Sequence, residues 1–127
     1  ASLSFEGKTG PYLQYSYARA SSIIRKAKKI SPPKTASVSN NSEWQFILHL
    51  LNFPKVLSAS AKEYDAAGLA NYLINLSQEF NTFYHNTPVL ETKEDEVRQT
   101  RLAIVSAFRK IVGKGLAILG IETLEEM

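Results

Sequence analysis

Between Asp65 and Pro88, the residues Leu69, Tyr72, Leu73, Leu76, Phe80, Phe83 and Tyr84 recur at intervals of three and four. That spacing gathers their side chains along one side of a helix, whereas a strand would scatter them over both of its faces. A helix with so broad an apolar stripe is stable only when other stripes cover it, and the chain supplies them. Leu13, Tyr17, Ala20, Ile24 and Ala27 mark a first helix over residues 11–29. Trp44, Ile47, Leu48 and Leu51 mark a second, and Val97, Ile104, Val105, Phe108, Ile111, Val112 and Leu119 mark a last one. Pro54 interrupts the second helix and opens a short one with Val56, Leu57 and Ala61. No segment alternates as a strand does, and no internal repeat is present. The expected fold class is all-α: a helical bundle of about five helices, four long and one short, forming a single domain over residues 1–127. Its core is expected from helices two, four and five, with the first helix packed across them.

Turn-forming residues set the boundaries. Pro11 suits a first helical turn, because its φ is already helical and its missing N–H has no partner to lose there. Ser31-Pro32-Pro33 ends that helix, and residues 31–42, rich in Ser, Pro and Asn, read as a mobile loop. The second helix starts near Ser42 or Glu43. Asp65 can cap the fourth helix, which stops at His85-Asn86-Thr87-Pro88. Gly113 and Gly115 each cost the last helix about 1 kcal/mol against Ala, a sacrifice that suits close helix packing. Gly120 suits a C-terminal cap ahead of the tail, residues 121–127.

Composition narrows the possible functions. Hydrophobic residues make up 44% of the chain, too many for a disordered polymer. No apolar run approaches the roughly 18 residues of a membrane span, and no secretory signal precedes the first helix. The chain starts at Ala1, inside a motif, and is expected to be a fragment of something longer. Zero cysteines exclude disulfides, thiolate metal sites and cysteine nucleophiles, and are compatible with the cytoplasm. The net charge of +3 conceals an asymmetry: residues 7–42 hold seven basic side chains and no acidic one, while the remainder is net negative. One part of the domain is therefore a candidate polyanion surface.

Catalytic chemistry is not evident, and neither a metal site nor a cofactor site is expected in this chain. His49 lies in an apolar helical segment, where a lone histidine is usually structural. His85 ends a helix, with no second ligand at metal-binding spacing. Glu94-Asp95-Glu96 reads as a solvated first helical turn, since acids favour that end. Gly7-Lys8-Thr9-Gly10 lacks the glycine five residues before the lysine that a phosphate loop needs.

The sequence does offer a binding surface. Tyr12, Tyr15 and Arg19 fall on one helical face at i, i+3 and i+7, followed by Arg25 and Lys26. A second aromatic and polar cluster, Phe83-Tyr84-His85-Asn86, ends the fourth helix. Rings beside a guanidinium can stack unpaired bases while a phosphate is held nearby. Phe80 and Phe83 are assigned to the core, and Tyr84 to the edge of the stripe. The plainer alternatives are tyrosines packing a core, or a protein-docking module with no nucleic-acid role that uses the first helix as its surface.

Several motifs in order resemble the C-terminal anticodon-binding domain of arginyl-tRNA synthetases. Phe5-Glu6-Gly7-Lys8-Thr9-Gly10-Pro11-Tyr12-Leu13-Gln14-Tyr15, continuing to Arg19, is similar to that family's opening motif. Leu69-Ala70-Asn71-Tyr72-Leu73 and Phe80-Asn81-Thr82-Phe83-Tyr84-His85 resemble its middle helix. Arg98-Gln99-Thr100-Arg101-Leu102-Ala103 and Gly115-Leu116-Ala117-Ile118-Leu119-Gly120-Ile121 resemble its last helix, with Glu126-Met127 at the chain end. Asp95-Glu96-Val97-Arg98 stands where the Asp-Ala-Leu-Arg tetrad of a DALR domain would be and keeps its two ends. A related domain from another synthetase, such as the cysteine enzyme, fits the Gly-Pro-Tyr-Leu-Gln-Tyr wording less well.

The resemblance implies a domain that binds the anticodon stem-loop of arginine tRNA, whose anticodons share a central cytosine. It implies Tyr12, Tyr15, Tyr84 and Met127 near the anticodon and Arg19 on the RNA backbone; Arg25, Lys26, His85 and Asn86 are the further candidates. Residues 1–10 would be a lead-in segment from an absent catalytic domain, the other partner. The parent enzyme, an arginine–tRNA ligase using ATP and magnesium, carries His-Ile-Gly-His and Lys-Met-Ser-Lys signatures that this sequence lacks. The fragment alone is therefore expected to be inactive, and to be a cytoplasmic monomer with no membrane role.

Overall fold

Asp65 opens the central helix. Its carboxylate accepts the Gly68 N–H at 2.9 Å, satisfying a donor that the first turn leaves without an intrahelical partner. The computed structural model describes residues 9–27, 29–33, 38, 41–63 and 65–125. Among these residues the elements run α1 (Thr9–Lys26), α2 (Asn41–Leu51), α3 (Phe53–Glu63), α4 (Ala66–Asn86) and α5 (Asp95–Leu119), an all-α bundle. The capping role of Asp65 and the stop at Asn86 match the sequence reading. Gly120 ends α5 in the left-handed region at φ 77°, and the Ile121 N–H returns to the Leu116 carbonyl at 2.8 Å. That is the glycine-dependent helix ending the sequence suggested.

The division into four long helices and one short one needs correction. Three helices are long, at 18, 21 and 25 residues, while α2 and α3 have 11 each. Pro54 has no N–H to give the carbonyl four residues back, so the helix breaks at Asn52 and resumes at once. The two short pieces amount to one helix with a bend. The first helix starts at Thr9 and closes at Lys26, three residues before the expected end.

The core lies where α1, α2, α4 and α5 meet. Phe80 of α4 stacks on Phe108 of α5 with ring centroids 4.1 Å apart and planes within 5°. Phe46 of α2 tilts against both of them and against Phe83. A β-carbon on Gly115 would collide with the buried Leu73 side chain, so a glycine is what lets α5 approach α4 there. The first helix is a full member of this core rather than a cover, burying Leu13, Tyr17, Ala20 and Ile23.

Helix α2 is rotated relative to the expected stripe. Its buried residues are Glu43, Phe46 and Leu50, while Trp44, Leu48 and Leu51 face outward, Leu51 at 70% exposure. The physical reason is an ion pair: Arg101 of α5 donates to Glu43 Oε1 at 3.1 Å, with Glu43 0% and Arg101 8% exposed. Burying that carboxylate against Arg101 fixes the rotation of a helix whose apolar residues cover more than half of its circumference.

Farther along α2, His49 is held by contacts to α4. Its ring Nδ1 pairs with Glu79, and its carbonyl accepts the Tyr72 hydroxyl at 2.7 Å. Burial holds the Tyr72 phenol well above its ordinary pKa, with the Glu79 charge adding to the shift.

Two polar networks pin the connections. Gln99 accepts the Ser31 N–H at 2.8 Å and donates to the Lys29 carbonyl at 3.1 Å, tying the segment after α1 to α5. Arg101 donates to the Pro88 carbonyl at 2.7 Å and to Thr92 Oγ1 at 3.0 Å, fixing the turn between α4 and α5. The ends of the Asp95–Arg98 tetrad pair with each other at 2.5 Å, and Arg98 also donates to the Thr92 carbonyl. No helix among the described residues is long and apolar enough to cross a membrane.

Candidate nucleic-acid interface

Helix α1 packs against α4 and α5, and one of its faces meets α4 beside the turn that follows it. Tyr12, Ser16 and Arg19 lie along that face at i, i+4 and i+7; Asn81 and Tyr84 answer them from α4 at i and i+3. Arg19 Nη1 donates to Asn81 Oδ1 at 2.8 Å. The same amide turns its Nδ2 to the Tyr12 hydroxyl at 2.9 Å and lies 3.5 Å from Ser16 Oγ. Because an arginine can only donate, it fixes Oδ1 on its own side and leaves the NH₂ for the tyrosine. The guanidinium is thereby held 4.5 Å above the Tyr84 ring centroid, within cation–π range.

These groups line a cleft of about 1070 Å³, walled by α1, the end of α4, the following turn and the C-terminal tail. Tyr15 stands in it 56% exposed and Tyr84 40% exposed, so both offer ring surface to a partner. His85 meets Tyr84 edge-on at 5.4 Å. Arg25 and Lys26 lie at the far end of the cleft, where α1 finishes. Glu91 and Glu125 are the carboxylates on its wall. Stacking rings, a fixed guanidinium and further cations in one open cleft can hold unpaired bases and their phosphates, chemistry that needs no acid–base residue.

Tyr12, Tyr15, Arg19, Arg25, Lys26, Tyr84 and His85 thus line one cleft; helical spacing had grouped only the first three, and the fold brings the second cluster to them. Asn86 does not join them. It lies two positions beyond Tyr84, about 200° around the helix, and borders a separate groove with Phe46, Thr82 and Phe83. Met127 lies outside the described residues. The sequence reading missed Asn81, Ser16 and Glu125. The signal for Asn81 was its place three residues before Tyr84, on the face turned toward α1. Glu125 gave no such signal, because only the fold brings the tail back to α1.

The tail, residues 121–125, is held at several points. Gln14 Nε2 donates to the Glu122 carbonyl at 2.9 Å, and Arg25 Nη1 donates to the Glu125 carbonyl at 3.0 Å. Arg109 Nη2 reaches both oxygens of the Glu125 carboxylate, at 2.8 and 3.2 Å. The Ser21 hydroxyl, then Arg109, then Arg25 hold that carboxyl below its ordinary pKa. Among the described residues, no group of three histidine, cysteine or acidic side chains is placed to hold a metal ion.

Comparison with known proteins shows the family and the fold. A family model for the DALR anticodon binding domain matches residues 13–127. The arginine–tRNA ligase of Clostridium botulinum is 38% identical over 126 residues, covering 98% of this chain and 22% of the relative. That of Streptococcus suis is 38% identical over 128 residues, again 22% of its length. Among solved structures, Thermus thermophilus arginyl-tRNA synthetase superposes with a TM-score of 0.88 at 37% identity, over 98% of this chain and 22% of that one. The arginyl-tRNA synthetase of Plasmodium falciparum gives a TM-score of 0.77 at 26% identity, with the same coverage. The chain therefore spans about a fifth of the length of the relatives it matches.

Proposed function

Since the chain belongs to the DALR anticodon binding domain family, we propose that it binds the anticodon stem-loop of arginine tRNA in the cleft between α1 and α4. The observation that carries this reading is the Arg19 guanidinium, fixed over Tyr84 by Asn81 with Tyr12 and Tyr15 beside it. Unstacked loop bases lie against Tyr15 and Tyr84. Arg19 supplies charge and in-plane donors where a base or its phosphate meets the rings. Arg25 and Lys26 follow the backbone of the stem, and the acid-free stretch around them speeds encounter. The base read is the cytosine at the centre of every arginine anticodon.

Ligation of arginine to the tRNA, with ATP and magnesium, belongs in this reading to a catalytic portion of the polypeptide beyond these residues, in the cytoplasm. This chain contributes grip and selection, acts as a monomer and is inactive as a ligase by itself.

Fluorescence anisotropy with a labelled arginine-tRNA anticodon stem-loop tests the assignment of the cleft. Loss of one stacking partner is worth about 1–3 kcal/mol, so Tyr84→Ala should weaken binding by about 5- to 150-fold. Arg19→Ala should fall in the same range, and Arg25→Ala should flatten the logarithmic salt dependence by about one unit. Wild-type affinity in both Tyr84→Ala and Arg19→Ala would remove the cleft from consideration.

A further inference from the structure

Glu125 departs from the charge logic of the cleft. Residues 7–42 contain no acidic side chain, yet the fold carries a carboxylate from the chain's other end into the wall that this stretch builds. It rests between two guanidiniums of different helices. Arg109 Nη2 lies 2.8 and 3.2 Å from its two oxygens, and Arg25 Nη1 lies 3.8 Å from Oε2.

Arg109 is preorganised to receive an anion. Its Nε is anchored on the buried Ser21 hydroxyl at 2.7 Å, and its guanidinium sits 5.0 Å over the Tyr17 ring. An anchored guanidinium converging with a second one on two oxygens is the arrangement that also suits a phosphate. The Glu125 side chain is itself exposed, so solvent and counterions compete for it and its ion pairs are readily exchanged. The tail does not depend on that carboxylate alone. The Ile121 N–H, the Glu122 carbonyl and the Glu125 carbonyl have their own hydrogen bonds to α5 and α1.

We propose that the Glu125 carboxylate holds the place of an RNA phosphate: it fills an anion site formed by Arg109 and Arg25, and bound RNA displaces it. The proposal rests on the RNA-binding reading above and extends it to Arg109, which sequence spacing did not connect with the cleft. Glu125 thus keeps the two arginines paired until a stronger, polyanionic ligand arrives. Part of the affinity is given up, and loosely bound anions are excluded.

The test compares wild type, Glu125→Gln and Glu122→Gln, the last removing an equal charge from the tail away from the two arginines. In anisotropy titrations with the anticodon stem-loop, Glu125→Gln should bind about two- to fivefold more tightly than wild type, the upper part of what one exposed ion pair is worth. Its logarithmic salt slope should steepen by about one unit. Glu122→Gln should stay near wild type. Unchanged or weaker binding by Glu125→Gln would overturn the proposal and make the carboxylate a tail anchor. An equal gain in Glu122→Gln would overturn it as well, since net charge would then suffice.

If wild type fails to bind the stem-loop at all, the RNA-binding reading fails, and inorganic pyrophosphate decides the anion site separately. NMR of the Arg109 Nε–Hε group should show pyrophosphate saturating Glu125→Gln at a severalfold lower concentration than wild type. Equal saturation in the two proteins would show that no anion site is being held.

Discussion

Replacing Glu43 by alanine is expected to cost the fold about 3–5 kcal/mol, the usual penalty for stranding one member of a buried ion pair. Domains of this kind have about 5–15 kcal/mol of stability in all, so this single change should consume a large part of it. Glu43 lies on α2 and Arg101 on α5, with Nη2 to Oε1 at 3.1 Å and almost no solvent at either side chain. Removing the carboxylate takes a buried ion-pair partner away from the guanidinium.

Replacing both partners by apolar residues, Glu43→Leu with Arg101→Met, should recover a good part of the loss. The recovery is incomplete, because Arg101 also satisfies the Pro88 carbonyl and Thr92 Oγ1. Urea denaturation of the two single variants and the double variant checks this through the midpoint, at unchanged slope. Equal stability of wild type and Glu43→Ala would show that the pair is not what fixes α2. The consequence reaches the cleft, since Thr87, Pro88 and Val89 form part of its wall.

The second large effect is in the aromatic core. Phe108→Ala should lower stability by about 3–5 kcal/mol, the cost of an unfilled cavity where a large buried ring had been. Phe108 is fully buried, stacked on Phe80 at 4.1 Å and met by Phe46 at 6.0 Å. Trp44→Ala removes a larger ring yet should cost far less, about 1 kcal/mol or under, because about half of Trp44 is exposed. The pair of measurements therefore separates the observed rotation of α2 from the one its apolar pattern suggested. Similar losses in the two variants would contradict that rotation.

How much of this was legible in the sequence depends on how distinctive each helix is. The stripe of α4 has a polar opposite face, a capping aspartate and a terminating Thr-Pro, so its face follows from spacing and its ends from those local signals. Helix α2 has Trp44, Phe46, Ile47, Leu48, Leu50 and Leu51 spread over more than half of its circumference. Periodicity cannot choose a face there, and a buried carboxylate decides it, a preference visible only once Arg101 is opposite.

The site divides in the same way. Tyr12, Tyr15 and Arg19 could be grouped by helical geometry, whereas the meeting of Tyr84 with them depends on how α1 packs on α4; Asn86 is turned past the cleft. Asn81 is short and unremarkable on the sequence, yet its amide can both accept from Arg19 and donate to Tyr12. Glu125 is 100 residues from Arg25 in sequence, so no local pattern links the two. Long-range charge placement depends on how the chain returns, and it was the least readable part.

The central claim is that the cleft between α1 and α4 reads an arginine anticodon. Its most direct test is a pair of anisotropy titrations at one low and one moderate salt concentration. One uses the arginine-tRNA anticodon stem-loop, and the other the same stem-loop with the central anticodon cytosine replaced. A base lost from a good hydrogen-bonded or stacked contact costs about 1–3 kcal/mol, so the replaced stem-loop should bind about 5- to 150-fold more weakly at both salts. Equal binding of the two, weakening together as salt rises, would reduce the cleft to a general polyanion surface and contradict the account.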